Sequence, residues 1–379
     1  MAVAGAGQTA FAKSLPESEI ELALRAIGAA LDDAGLRPDD VDGLFSYTLE
    51  ATAEVDIARN LGCGDVTAFA QVGYGGGAGC GVVGLASLAV AAGQCDVAVA
   101  WRSRKRGAAA SRPWANVARR LDDSRQWSRP FGLLRPVDEI AVLARRYLHD
   151  TGGTREQLAE VALASRFHAG NNPAAMLQHK PLTLDDYLTS RWISEPLCLH
   201  DNCLESDGAG AVVITSLPRA RDLRRPPVVV DAFAQSLPAQ HQTMTNYFCD
   251  DPLLGPSWAC ARRLWGLSSV GPADVDVAQL YDAFSPLVPL SLEGYGFCGR
   301  GDGLAFCEGG ALRAGGGRLP TNTSGGGMAE AYVHGFNLIV EGVRQLRGES
   351  TNPVAGAEVC LVTSGEGVPT SALVLIVDR

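Results

Sequence analysis

One pattern that occurs twice constrains the fold of this chain more than any other feature of its sequence. In the first half, a glycine-rich run at residues 72–79 leads into an apolar helical segment that ends near Gly93. In the second half, the glycine-rich run at residues 324–327 leads into a helical segment that ends near Gly356. A repeat of this kind predicts two copies of one structural unit in a single chain.

The segments that precede each glycine run correspond as well. The motif PDDVD at residues 38–42 matches PADVD at residues 272–276, and the apolar run at residues 3–8 matches residues 228–233. Each half therefore reads as strand, helix, strand, glycine turn, helix and strand. Apolar strands that alternate with helical periodicity indicate an α/β protein, in which a parallel sheet is covered by helices.

Composition supports a large folded unit and excludes some classes of function. The chain has 379 residues, of which 46% are apolar and 20% are charged, so two domains of ordinary size with large cores are expected. A formal net charge of −10 argues against nonspecific binding to nucleic acid. We find no apolar run long enough to span a bilayer and no signal peptide, so we expect a cytoplasmic protein.

The ten cysteines do not follow a metal-binding pattern. Cys198 and Cys203 flank His200, but no second cysteine pair completes a four-ligand site. In a cytosolic chain such cysteines are usually small buried apolar residues. We therefore expect neither a metal nor another cofactor.

A basic segment separates the two halves. Between Arg102 and Arg146 arginines are dense and are interleaved with Trp101, Trp114 and Trp127. One interpretation is a solvated loop that covers the sheet. The other is a basic surface that binds a phosphorylated ligand or an acidic partner, because guanidinium groups bind phosphate through paired donors.

Several motifs resemble the thiolase superfamily, in the branch of the sterol carrier protein x thiolases. They are VAGAGQTAF at residues 3–11, the segment at 23–45, SDGAGAVVI at 206–214, YDAFSP at 281–286 and NTSGG at 322–326. The resemblance implies a thiolase-like α/β fold, with two duplicated βαβαβ halves packed as five layers, αβαβα. We place the N-terminal half at residues 1–225, with an inserted loop region at about 102–200, and the C-terminal half at residues 226–379.

The same resemblance indicates that the catalytic groups of a thiolase are missing. Thiolases of this branch use a nucleophilic cysteine at the start of a helix, two histidines and often a second cysteine. The corresponding positions here are Gly76, Tyr281, Tyr332 and Ser364. Glycine has no side chain, so cleavage through an acyl-enzyme is excluded. Cys80 lies one helical turn beyond Gly76, and we expect it to be a core thiol.

Two kinds of group remain that could do chemistry. Backbone N–H groups near Gly76 and in the turn at Glu366 are expected to bind an oxyanion or an enolate. Tyr281 and Tyr332 could transfer protons if neighbouring groups adjust their pKa, which is ordinarily near 10. A single tyrosine at such a position would most simply fill space, but tyrosines at both histidine positions favour a function.

Four further residues are secondary candidates: His334, Ser364, Asn322 and Asp282. His334 follows Tyr332 by two residues, and on a helix it would point away from the face of Tyr332. Serine and asparagine beside glycines typically form turns. Asp282 could orient Tyr281 or cap a turn.

The resemblance is closest to the steroid side-chain-cleaving aldolases. It implies retro-aldol cleavage of a 17-hydroxy steroid side-chain CoA thioester, which gives a 17-ketosteroid and propionyl-CoA or a similar short acyl-CoA. It also implies a homodimer, and a partner protein, an acyl-CoA hydratase, that carries an OB-fold and zinc-ribbon domain. Two alternatives stay open: a noncatalytic subunit that binds acyl-CoA or lipid, and an atypical thiolase that uses Cys80.

Overall fold

The computed structural model describes residues 1–73, 75–106, 126–237, 239, 249–366 and 370–379. Its strands are β1 (Ala2–Gln8), β2 (Gly43–Tyr47), β3 (Ala68–Val72), β4 (Val97–Arg104), β5 (Trp192–Ser194), β6 (Leu197–Cys198), β7 (Gly208–Thr215), β8 (Val228–Ser236), β9 (Val277–Gln279), β10 (Val359–Ser364) and β11 (Thr370–Val377). Nine of them form one sheet in the order β3-β2-β4-β7-β1-β8-β11-β10-β9. Strands β5 and β6 form a separate antiparallel pair.

The order of the strands confirms the duplication. In the N-terminal half, β7 lies antiparallel between β4 and β1, and β2 runs parallel to both β3 and β4. In the C-terminal half, β11 lies antiparallel between β10 and β8, and β9 runs parallel to β10. The two halves meet where Ala2 and Val3 of β1 pair with Val229 and Val228 of β8. The order β2-β4-β7-β1 is thus repeated as β9-β10-β11-β8 on the other side of this seam, and β3 is an additional strand of the N-terminal half. The expectation of a parallel sheet is wrong, because five of the eight strand pairings in the described sheet are antiparallel.

The helices cover both faces of the sheet. They are α1 (Glu19–Ala34), α2 (Glu54–Leu61), α3 (Gly79–Ala91), α4 (Pro136–Thr151), α5 (Arg155–Asn171), α6 (Leu184–Leu188), α7 (Leu217–Arg221), α8 (Pro256–Trp265), α9 (Leu287–Gly294), α10 (Gly303–Cys307), α11 (Gly326–Ala329) and α12 (Phe336–Leu346). Within the described residues, none of these helices is long and apolar enough to cross a membrane.

The contacts between buried side chains define five layers, because the strands of the two halves pack on either side of the same central helices. Helices α3 and α12 pack in the centre against strands of both halves. Helix α1 packs on the outer face of the N-terminal strands, and α8 packs on the outer face of the C-terminal strands. Side chains of β4 alternate between the central layer and the outer layer: Ala98 and Ala100 face the central helices, whereas Val97 and Val99 face α1. The expected αβαβα arrangement is confirmed.

Local sequence explains how the central helix reaches both halves. Helix α3 begins after a short 3-10 turn at Gly75–Ala78 and carries Gly84 on its buried face. A Cβ atom at Gly84 would lie 2.1 Å from Cδ2 of Phe233, which belongs to β8 in the other half. Glycine therefore allows the close contact between α3 and the C-terminal strands.

The region that we interpreted as a loop at about 102–200 is largely helical where the structure describes it. Strand β4 extends through Arg104, and residues 136–188 hold α4, α5 and α6. The reason is amphipathic patterning: α4 buries Ile140, Leu143 and Tyr147, which pack with residues of α9 and α10. The division of the chain between residues 225 and 226 falls between α7 and β8 and stays a prediction.

The basic surface that we predicted in this region needs a partial correction. Arg102 is 2% exposed and Arg104 is 4% exposed, so both arginines are interior residues and not part of a solvated surface. Trp101 is buried as well, whereas Trp127 is exposed. The centre of the predicted surface, residues 107–125, lies outside the described residues.

Candidate active site

Tyr281 is held at the end of β9 by its neighbours on both sides. Its backbone N–H donates to Oγ1 of Thr363 at 2.9 Å. The side chain of Asn322 accepts from the N–H of Leu280 at 2.7 Å and donates to the carbonyl of Leu280 at 2.8 Å. Asn322 itself adopts a left-handed conformation, with φ of 55°. The side chain predicted as a secondary candidate thus fixes the backbone from which Tyr281 projects.

The phenol of Tyr281 occupies the space that a side chain at Gly76 would need. A Cβ atom built on Gly76 would lie 1.8 Å from the hydroxyl oxygen of Tyr281 and 2.4 Å from Cζ. Atoms that are not bonded cannot approach so closely, so any side chain at position 76 would displace the ring. Glycine at this position and tyrosine at position 281 are therefore two parts of one arrangement.

Tyr332 completes a pair with Tyr281. The two hydroxyl groups form a hydrogen bond, and the ring centroids lie 6.1 Å apart with planes inclined at 55°. The N–H of Tyr332 donates to Oγ of Ser206 at 3.0 Å. Burial raises the pKa of both phenols above its ordinary value, so both are neutral in the resting site. The structure brings together the two tyrosines predicted from the sequence.

The predicted direction of His334 is wrong. Residues 331–335 do not form a helix, and His334 and Gly335 adopt left-handed conformations with φ of 54° and 78°. This turn directs the imidazole toward the site, with its centroid 5.4 Å from that of Tyr332 in an edge-on arrangement. The imidazole also stacks on Tyr47 at 6.2 Å. The prediction from spacing was wrong because it assumed helical geometry.

The imidazole of His334 is bound by an arginine from β4. Nη1 of Arg104 lies 2.9 Å from Nδ1 of His334 and also contacts Nε2. Burial, together with the charges of Arg102 and Arg106, lowers the pKa of His334 well below its ordinary value. The imidazole is therefore neutral, and it can accept a hydrogen bond from the guanidinium.

Asp282 caps the N-terminus of the short helix α11. Its carboxylate accepts from the N–H of Gly327 at 2.8 Å and from that of Met328 at 3.4 Å. Burial raises the pKa of Asp282 to about 7. Of the two roles considered for this residue, its hydrogen bonds correspond to the cap.

Ser364 and Cys80 contact each other in the core. Oγ of Ser364 accepts from the N–H of Cys80 at 3.0 Å and donates to Sγ at 3.2 Å. Cys80 is fully buried, and burial raises the pKa of its thiol to about 12. A thiol with such a pKa forms almost no thiolate at neutral pH, so Cys80 has the environment of a structural residue.

Glu366 is buried at the end of β10. Its Oε2 accepts from the N–H of Ser257 at 3.1 Å, and burial raises its pKa to about 7. The adjoining residues 367–369 lie outside the described residues. The oxyanion-binding role predicted for the backbone at Gly76 and Glu366 stays a prediction.

A groove of about 390 Å³ adjoins the first glycine turn and is lined by Val72, Gly73, Gly77, Gln235, Ser236, Leu237 and Thr370.

Sequence reasoning missed the interior arginines. Arg102 forms a buried ion pair with Glu50 at 3.1 Å, and its guanidinium lies 5.2 Å from the ring centroid of Tyr47. The signal was present in the sequence, because Arg102 and Arg104 continue the alternate positions occupied by Ala98 and Ala100. In the described part of the chain, no cluster of three or more His, Cys, Asp or Glu residues is arranged to hold a metal ion.

Comparisons with known proteins agree with this geometry. Residues 248–379 match the family model described as thiolase C-terminal domain-like. The chain is 46% identical to the 17-hydroxy-3-oxo-4-pregnene-20-carboxyl-CoA lyase of Mycobacterium tuberculosis, over 99% of this chain and 98% of that protein. It is 44% identical to the steroid side-chain-cleaving aldolase of Thermomonospora curvata, over 100% and 98% of the two chains.

Solved structures of an aldolase and of a thiolase share the fold of this chain. The structure described as an Ltp2-ChsH2(DUF35) aldolase superposes with a TM-score of 0.95 at 43% identity, covering 100% of this chain and 98% of that chain. Human mitochondrial 3-ketoacyl-CoA thiolase shares the fold, with a TM-score of 0.69 at 15% identity over 100% and 98% of the two chains.

The duplicated five-layered fold, with its glycine turn at the start of the central helix, is the fold of the thiolase superfamily. The phenol of Tyr281 fills the space that a side chain at Gly76 would need, and the relatives that are 46% and 44% identical to this chain are a lyase and an aldolase. The chain belongs to the steroid side-chain-cleaving aldolases of this superfamily.

Proposed function

We propose that this protein catalyses the retro-aldol cleavage of a β-hydroxyacyl-CoA. The substrate is a 17-hydroxy steroid side-chain CoA thioester, and the products are a 17-ketosteroid and propionyl-CoA or a similar short acyl-CoA. The observation that carries the proposal is the hydroxyl of Tyr281, which fills the nucleophile position against Gly76 and is hydrogen bonded to Tyr332. The names of the two relatives support the steroid acyl-CoA class.

The reaction needs only proton transfer and the stabilisation of an enolate. A base takes the proton of the β-hydroxyl group, the carbonyl forms, and the electrons of the carbon–carbon bond pass into the thioester enolate. An acid then protonates the α-carbon of this enolate. No external oxidant or reductant takes part, and water is not consumed, so we propose that no cofactor is needed beyond the CoA of the substrate.

The tyrosine pair is suited to this exchange. The two hydroxyl groups share a hydrogen bond, so once the pair has lost one of its two protons, a proton that one oxygen accepts from the substrate can be passed to the other. Because burial raises the pKa of both, the resting pair is neutral and can donate a hydrogen bond to a developing oxyanion. Neither step requires a covalent bond between enzyme and substrate.

The function is tested by incubating the chain, with and without its partner protein, with the 17-hydroxy steroid CoA thioester and measuring 17-ketosteroid release by mass spectrometry. We expect release by the wild type and its loss in Tyr281→Phe and Tyr332→Phe. Tyr187→Phe is the matched control, because its hydroxyl is also buried and hydrogen bonded, to Asp201 at 2.7 Å, but belongs to another cluster. Tight binding of the thioester without release would instead support the noncatalytic carrier.

We propose a homodimer that forms along β3. This strand lies at one edge of the described sheet, and its second residue, Phe69, is 69% exposed. An edge strand with an exposed aromatic residue is suited to pairing with another chain. In thiolase-like folds this pairing would place two copies across a two-fold axis.

We further propose that the active protein works with an OB-fold and zinc-ribbon domain carried by an acyl-CoA hydratase partner. The similar aldolase structure is described with a second component, ChsH2(DUF35), and this supports a partner for the present chain. A cytoplasmic location is part of the same proposal. All ten cysteines are free thiols in the structure, as is usual in a reducing compartment.

A further inference from the structure

Two arginines of strand β4, Arg102 and Arg104, are buried near the tyrosine pair. Ala98 and Ala100 face the central layer, so Arg102 and Arg104 continue along the same face. Neither arginine is more than 4% exposed. Arginine is almost never buried to this degree unless it is paired, so the partners of these two charges matter.

The two charges are balanced differently. Arg102 is paired with the buried carboxylate of Glu50 at 3.1 Å. The guanidinium of Arg104 contacts His334, and among the residues that the structure describes no carboxylate lies within ion-pair distance of it. His334 has a pKa well below its ordinary value, so it is neutral and does not offset a positive charge. The site therefore holds a buried positive charge for which the described residues supply no negative partner.

His334 connects this charge to the catalytic pair. Its imidazole is bound by Arg104, lies edge-on to Tyr332 at 5.4 Å and stacks on Tyr47 at 6.2 Å. Its left-handed conformation, with φ of 54°, is uncommon for a residue other than glycine, although histidine, asparagine and aspartate adopt it more often than other residues do. The fold maintains this conformation, and the result is a ring placed between Arg104 and Tyr332.

We propose that Arg104 and His334 are positioning residues of the aldolase site. Arg104 orients the imidazole, the imidazole orients the ring of Tyr332 toward Tyr281, and the buried positive charge stabilises the tyrosine pair when it holds one negative charge. The inference rests on the proposed retro-aldol function, because in that reaction the pair accepts the proton of the substrate, which it can do only after it has lost one of its own two protons. A pair of phenols that shares one proton is an anion, and a nearby guanidinium in a medium of low dielectric constant attracts it.

Other ionisable groups also face Tyr332 and His334. They are Arg102 and Arg106 from β4 and the residues after it, Tyr47 and Glu50 from β2 and its following turn, Cys203 before β7, and Tyr281 and Asp282 after β9. Arg106 lowers the pKa of Tyr332, whereas Cys203 and Asp282 raise it. These groups remain unchanged in an Arg104 variant, so a shift in its pH profile reports the loss of the Arg104 charge.

The experiment compares Arg104→Met, Arg104→Lys and His334→Asn in the full chain with its partner, measuring kcat and KM for 17-ketosteroid release across pH. Removal of the cation should lower kcat roughly ten- to a hundred-fold and move the acidic limb of the pH profile upward by about one to two units, because the pair then binds its proton more tightly. Lysine should recover part of both effects. Asparagine tolerates the left-handed conformation, so His334→Asn should fold and lower kcat with little change in KM.

Arg347→Met is the matched control. The side chain of Arg347 is also 2% exposed and is bound to Asp33 at 2.7 Å, but it lies outside the site. We expect this variant to lose stability without a shift of the acidic limb.

Two results would overturn the inference while leaving the function intact. One is an Arg104→Met variant whose acidic limb matches that of the wild type and whose activity falls only in proportion to its stability, as for Arg347→Met. If Arg104→Met does not fold, the other is a His334→Asn variant with wild-type kcat and pH profile. A wild-type protein that releases no 17-ketosteroid would instead refute the retro-aldol function, and the inference with it.

Discussion

Restoring a side chain at position 76 should disable this enzyme, and the cost can be estimated from the structure. A Cβ atom at Gly76 would lie 1.8 Å from the hydroxyl oxygen and 2.4 Å from Cζ of Tyr281. An ordinary van der Waals contact is about 3.4 to 4 Å, so Gly76→Ala forces the whole ring to move. Overpacking of a buried site costs about 1 to 3 kcal/mol, and the lost hydrogen bond to Tyr332 adds about 1 kcal/mol.

A double-mutant cycle separates this clash from other effects of the methyl group. The four proteins are the wild type, Gly76→Ala, Tyr281→Ala and the double variant, and the measurement is the free energy of unfolding in denaturant. Alanine at position 281 removes the ring, so Gly76→Ala should cost about 2 to 4 kcal/mol in the wild type and close to nothing in the Tyr281→Ala background. Turnover should be lost in all three variants.

The cycle can refute the reasoning in two ways. If Gly76→Ala costs the same in both backgrounds, the ring of Tyr281 does not occupy the nucleophile position. If Gly76→Ala keeps the turnover of the wild type, the placement of that hydroxyl is not required for catalysis. Gly76→Cys provides a further check, since it should yield neither lyase nor thiolase activity while Tyr281 is present.

Three other predictions concern different parts of the molecule. Burial raises the pKa of Glu366 to about 7, so its contribution to stability is present below its unfolded pKa and is lost as pH rises from about 4 through 7. Glu366→Gln should therefore gain stability relative to the wild type between about pH 4 and pH 7, by up to about 1.4 kcal/mol per unit, and an unchanged difference between the two unfolding curves would contradict this. Cys80→Ala should retain turnover, and thiol alkylation of the native protein should not abolish turnover, because the Cys80 thiol is buried and has a pKa of about 12. If alkylation inactivates the native protein but not the Cys80→Ala variant, the result would support the atypical thiolase. Phe69→Glu should convert the proposed dimer to a monomer in light scattering, and a dimer of unchanged affinity would place the interface elsewhere.

The fold could be predicted from the sequence because the evidence for it is periodic and repeated. The glycine turns, the alternating strands and the two matching motifs each occur twice, and each predicts the same α/β architecture. The pairing of Tyr281 with Tyr332 could be predicted from their motif positions. The insertion was misjudged because its abundant arginines were taken as evidence of a loop, although α4 carries a clear apolar face.

The contacts around His334 could not be predicted in the same way. Whether the chain is helical at residues 331–335 decides the direction of the imidazole, and two successive left-handed residues there leave no periodic signal. The burial of Arg104 depends on packing between distant segments, since its contact with His334 joins residues 230 positions apart. Local patterns specify the elements of this site, whereas tertiary contacts specify which charges meet.

The geometry also restricts how a thiolase site could be converted into this one. A side chain at position 76 and the ring at position 281 exclude each other, because both need the same space. Changing the nucleophile to glycine alone would leave a cavity, and introducing the tyrosine alone would create a clash worth about 1 to 3 kcal/mol. The first change is the cheaper one, since a small polar cavity can hold water. Glycine at position 76 with a smaller residue at position 281 should therefore be more stable than a side chain at position 76 with tyrosine at position 281. A thiolase-like protein with glycine at position 76 and histidine at position 281 should then fold stably, whereas one with cysteine and tyrosine at these positions should be destabilised. Both combinations can be made in the present chain as Tyr281→His and Gly76→Cys, and equal unfolding free energies for the two variants would contradict this order.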